Sequence, residues 1–90
     1  MRHPKFPGAA NIGLELGTRL LAVGIDSVER LEEVGAREAW LRLRVQFPEC
    51  DEVVWLLALQ GAIDDVLVPK LPAARVAELK RWHAVHCADE

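Results

Sequence analysis

The segment from Val53 to Val66 constrains the fold more than any other. Val53, Val54, Trp55, Leu56, Leu57, Ala58, Leu59, Ala62, Ile63 and Val66 leave it almost no polar face. A helix apolar nearly all round must be enclosed, either by other helices of a bundle or by a subunit contact. Ninety residues support only one small domain, so the enclosing surface comes from that domain's own helices or from another subunit. Asp51 is placed to cap the helix. Gly61 lies at its centre, where glycine costs helix propensity relative to alanine, and close approach of another helix is the expected reason for it.

Four further helical segments and no convincing strand can be read from the remaining pattern. Leu16, Leu20 and Val23 share one face of a helix from about Gly13 to Val23, with Gly24 as its stop. Ser27 caps a second, which turns Val28, Leu31 and Val34 inward and stops at Gly35. Three residues after that serine stands Arg30, so the reciprocal glutamate of a capping box is missing. The third helix covers Ala36 to Phe47, where Trp40, Leu43 and Phe47 form a stripe broadened by Leu41, and Pro48 ends it. A linker from Pro69 to Pro72 leads into a fifth helix, with Pro72 in its first turn and Val76, Leu79, Trp82 or His83, and His86 inward. The expectation is an all-α domain, a compact bundle of about five short helices over residues 11–87. Residues 1–10 form an N-terminal extension whose Pro4, Pro7 and Gly8 leave room for a short turn only.

A hydrophobic fraction of 51% with mean hydropathy +0.08 requires a packed core and excludes a disordered chain. No apolar run is long enough for a membrane span, and residues 1–13 lack the apolar centre of a secretory signal, so a cytoplasmic protein without a membrane partner is expected. Cys50 and Cys87 are too few for a disulfide framework and are expected as free thiols.

Chemistry-bearing constellations are sparse. Ser27 is the only serine and already has a capping role; neither cysteine has a defined base and orienting group. There is no Gly-rich phosphate loop and no dinucleotide fingerprint. The chain is therefore not expected to be an enzyme, to hold a cofactor or to take a small-molecule substrate. His83, His86 and Cys87 lie three and four apart, a spacing compatible with a metal, but a fourth ligand would have to come from Cys50 or His3. A solvated helix end, with histidines near its negative dipole, accounts for them more simply. Asp64-Asp65 and Glu32-Glu33 are neighbours that point apart on a helix and belong to the solvent face.

The most suggestive binding feature is Asn11-Ile12-Gly13, a tight turn opening the first helix. A helix start has unpartnered amides and a dipole that favours an anion, which makes the turn a candidate phosphate contact with Arg19 as the neutralising cation. The alternative is that Gly13 and Gly24 only let the backbone turn and pack closely. Net charge −3 and a pI of about 5.6 argue against strong sequence-independent DNA binding. The charge is uneven, since residues 1–45 carry seven bases against six acids and 46–90 carry four against eight. Arg37, Arg42 and Arg44 read as the wet face of a helix.

Taken in order, Asn11-Ile12-Gly13, Leu20, Gly24-Ile25, Leu31, Gly35-Ala36 and Ala39-Trp40-Leu41-Arg42-Leu43 form a recognisable series. It continues through Leu56, Ala58-Leu59 and Gly61-Ala62-Ile63 to Leu71-Pro72 and Ala77-Glu78-Leu79. Over residues 10–83 the chain resembles the C-terminal domain of the TfoX/Sxy family, bacterial regulators of competence for DNA uptake. The resemblance implies an all-α domain with a helix-hairpin-helix-like element, no catalytic activity, and a role in regulating transformation genes through DNA or transcription proteins. Such proteins commonly carry a separate N-terminal domain, for which this chain has no room, so a partner encoded elsewhere is expected if both are needed. Glu15 would repel a phosphate at the turn, and residues 1–10 are too short for the first helix of a complete hairpin.

Two readings follow. In one, Asn11, Ile12, Gly13 and Arg19 touch nucleic-acid backbone weakly and without sequence preference. In the other, the domain works by protein contact, as a homodimer or with another protein, through Trp40, Trp55 and Trp82 as aromatic anchors. Core packing is the alternative role for each tryptophan. The acidic balance favours protein contact, with DNA contact as an accessory.

Overall fold

A computed structural model describes residues 5–6 and 9–88, with side chains as far as 86. Its helices are α1 (Leu14–Ala22), α2 (Val28–Val34), α3 (Ala36–Gln46), α4 (Val53–Asp64) and α5 (Ala73–Ala88). Single 3-10 turns at Pro48–Cys50 and Val68–Lys70 flank α4. The architecture is all-α with the expected five helices. Helix α4 packs against α2, α3 and α5, as its apolar circumference demands, while α1 rests on α3. Leu56 and Leu59 of α4 meet Leu31, Trp40, Leu43 and Leu79 in a single buried core. Phe6 and Ala9 are buried in it too, so the segment expected as an extension contributes to the core. His3 and the Pro7-Gly8 pair lie outside the described residues.

The helix ends follow local chemistry. The Ser27 hydroxyl accepts the Arg30 amide at 3.0 Å, the single side-chain bond of a half-built capping box. After α1, Gly24 takes φ +85°; its amide reaches Leu21 O at 3.1 Å and the Ile25 amide reaches Leu20 O at 2.9 Å. That pair of bonds, with Leu20 and Ile25 both buried, is a Schellman closure. Asp51 does not cap α4. The boundary residue is Glu52, without a side-chain cap, because Asp51 is taken up in the end of the preceding 3-10 turn.

The end of α4 repeats the Schellman pattern with a less suitable residue. The Val66 amide reaches Gly61 O at 2.9 Å and the Asp65 amide reaches Ala62 O at 3.3 Å, which puts Asp65 at φ +58°. A side chain there meets left-handed sterics, and its carboxylate faces the negative end of the helix dipole. Asp65→Gly is expected to raise stability by about 0.5–1 kcal/mol, seen as a higher urea midpoint at unchanged slope. A lowered midpoint would show that the left-handed conformation carries no cost here.

Candidate functional site

The turn before α1 is held from a distance. Asn11 has φ +67°, a left-handed conformation that asparagine tolerates better than most residues. Its side-chain nitrogen donates to Val66 O at 2.9 Å and to Ala58 O at 3.5 Å, and its oxygen accepts the Val68 amide at 3.1 Å. One amide side chain thus ties the amino-terminal turn to the end of α4 and the 3-10 turn after it. Gly61 lies directly beneath. A Cβ at Gly61 would collide with the Asn11 amide nitrogen and stand 2.7 Å from Val66 O. The expected reason for Gly61 was another helix; the observed one is the Asn11 side chain and a backbone carbonyl.

Ile12 is buried beside this bracket. Gly13 forms the boundary of α1 with φ −92° and ψ −167°, backbone that other residues also adopt, and no side chain caps the helix start. The left-handed residue of the turn is therefore Asn11, not Gly13. Glu15 occupies the first turn of α1.

Arg19 sits at the other end of α1 in a dense set of protein contacts. Its guanidinium donates to Cys50 Sγ at 2.8 Å and pairs with Glu15 at 3.2 Å and Glu49 at 3.5 Å. It also lies 5.4 Å from the Phe47 ring centroid and 5.3 Å from that of Trp55. Burial pushes the Cys50 thiol above its ordinary range, and the Arg19 hydrogen bond offsets this only in part. Cys50 is accordingly a neutral, buried thiol at physiological pH, the opposite of a reactive thiolate. Asn11, Ile12 and Gly13 adjoin in the turn, whereas the Arg19 contacts lie toward the link between α3 and α4.

The three tryptophans have different surroundings. Trp40 is fully buried, edge-on to Trp82 at 5.5 Å and to His83 at 5.2 Å, with Arg44 5.0 Å from its ring centroid. It is a core residue joining α3 to α5, and its indole nitrogen has no hydrogen-bond partner among the described residues. Trp82 is half-buried, stacked on His86 at 3.8 Å and approached by Arg37. Trp55 is half-buried beneath Arg19. The His83 Nε2 donates to Asp51 O at 2.6 Å and the His86 Nδ1 to Trp82 O at 2.9 Å, so one nitrogen of each ring serves the fold. The side chain of Cys87, third member of the spacing noted above, lies outside the described residues.

Between α1 and α4 runs a groove of about 470 Å³ whose walls include Leu14, Leu16, Val54, Trp55 and Ala58. Leu14 is 45% exposed and Val54 51%. Helical periodicity does not place this groove. Its signal was present in the lack of a polar face around Val54, but only the placement of α1 shows which part of α4 stays uncovered.

These features define a class first: a small all-helical module with a stapled turn before α1 and an apolar groove between α1 and α4. The chain belongs to the TfoX C-terminal domain family, whose model matches residues 5–83. It is 40% identical over 72 residues to Protein Sxy of Escherichia coli (strain K12), an alignment covering 80% of this chain and 34% of that protein. The chain thus spans about a third of the length of that curated relative. It also resembles the crystal structure of an uncharacterized protein from Listeria monocytogenes, with a TM-score of 0.80 and 33% identity over 83% of this chain and 84% of that one. No helix among the described residues is long and apolar enough to cross a membrane.

Proposed function

We propose that the chain is a non-catalytic regulatory module of the competence type, acting mainly through protein contact in the cytoplasm, with contact to DNA backbone as a weak accessory. Membership of the TfoX C-terminal domain family supports the regulatory part. The observation that carries the preference for protein contact is the exposed apolar pair Leu14 and Val54 beside half-buried Trp55. Trp55 and Trp82 remain as aromatic contributors at the surface, whereas Trp40 serves the core. The DNA reading relies on the uncapped start of α1 at Gly13. Against it stand Asn11 and Arg19, whose polar groups are already engaged by backbone, carboxylates and Cys50.

Two measurements test this. Deleting the gene in its host is expected to lower expression of DNA-uptake genes, and unchanged expression would remove the regulatory reading. Fluorescence anisotropy of labelled duplex and single-stranded DNA, at low and near-physiological salt, is expected to show at most weak binding that salt abolishes. Binding that persists at near-physiological salt and disappears in Gly13→Glu would make the turn a phosphate site and DNA contact the principal activity.

A further inference from the structure

We infer that the groove between α1 and α4 seats a short cationic amphipathic helix of a partner protein, one bulky apolar side chain entering between Leu14 and Val54. The inference rests on the protein-contact reading above and specifies the partner's chemistry.

Shape supplies the first argument. Apart from Glu15, the groove has no charged lining residue, and half-exposed Leu14 and Val54 line it together with Trp55, Ala58 and buried Leu16. A volume of about 470 Å³ admits a leucine or phenylalanine side chain together with part of its neighbour. Helix α4 needs cover at this point because α2, α3 and α5 occupy its other sides. A helix laid into such a trough buries its apolar face and leaves its flanks at the rim.

Charge complementarity supplies the second. Glu15 lies on the groove, Glu49 shares Arg19 with it, and exposed Glu52 stands two residues before Val54. Two carboxylates, Glu15 and Glu49, flank the one half-buried guanidinium, and Glu52 at the start of α4 adds a further negative charge, leaving this end of the groove net negative. A partner with Lys or Arg one turn from its apolar anchor meets that field, whereas one with Glu there is repelled. Nucleic acid would be repelled for the same reason.

The test uses the full chain and a fluorescent amphipathic Leu/Lys peptide of about 18 residues, long enough for five helical turns, beside a Leu/Glu peptide of the same pattern. Anisotropy is expected to show the Leu/Lys peptide binding at least about tenfold more tightly than its acidic counterpart. The double variant L14S/V54S has the same net charge, so it separates groove binding from general attraction to an acidic protein. Both sites are half-exposed, and circular dichroism with a urea midpoint verifies that the variant is folded. Weakening of the Leu/Lys peptide by about tenfold or more in the folded variant is the expected result. Equal binding to wild type and variant, or equal binding of the two peptides, would overturn the proposal. So would a concentration-dependent dimer that L14S/V54S abolishes, since a second copy would then be the occupant. If the Leu/Lys peptide fails to bind while L14S/V54S still lowers DNA-uptake gene expression in the host, the cationic helix is overturned and the protein-contact reading survives.

Discussion

Gly61→Ala is expected to lower the unfolding free energy by about 2–3 kcal/mol, a severe loss for a methyl group added inside a helix. On propensity alone the change would stabilise α4. It destabilises because the new Cβ enters the space of the Asn11 side-chain nitrogen and crowds Val66 O, and neither neighbour can give way cheaply. Asn11 is held at three points by Val66 O, Ala58 O and the Val68 amide, and the second obstacle is backbone. Asn11→Gly keeps the left-handed turn and removes the amide, so a double-mutant cycle isolates the contact. The cost of Gly61→Ala should shrink by about 1–2 kcal/mol in that background. Strict additivity would mean that the Val66 carbonyl alone resists the methyl group.

Trp40→Ala is expected to cost about 3–5 kcal/mol and to expose the α3–α5 interface. Trp40 is buried between the helices, and Trp82, His83 and Arg44 all lie against its ring, so truncation opens a cavity and strands three partners at once. Trp40→Phe separates packing from polarity. Because the indole N–H has no described partner, phenylalanine strands no acceptor, and its cost should be only about 1–2 kcal/mol, set by lost volume. Denaturant midpoints of the two variants check this. A phenylalanine variant as unstable as the alanine one would reveal a partner for the indole N–H. Loss of α5 docking should also release the His83 bond to Asp51 O, which fastens α5 to the start of α4.

The helices were legible because their signals are local. The 3.6-residue spacing of Leu16, Leu20 and Val23, the Ser27 cap and the stops at Gly24, Gly35 and Pro48 each act within a turn or two, and the observed bounds follow them closely. The end of α4 was less legible. Its apolar run continues to Val66, but Asp65 turns left-handed because the helix must close against the Asn11 bracket. The groove was half-legible: an all-apolar helix implies cover on every side, but periodicity cannot say which side a short bundle leaves open.

Composition and pattern by themselves determined an all-α domain with α4 at its centre, and the run of residues it shares with the TfoX/Sxy family pointed to its kinship. These are properties of neighbours along the chain, where spacing and capping act directly. Tertiary structure alone decided the roles of individual polar residues. Asn11 became a bracket across 47 to 57 positions, Arg19 was enclosed by Cys50, Glu15 and Glu49, and Trp40 went inside while Trp55 stayed at a groove. The reason is physical: a hydrogen bond or ring contact depends on which distant backbone packing brings within about 3–6 Å, and no local spacing encodes that distance.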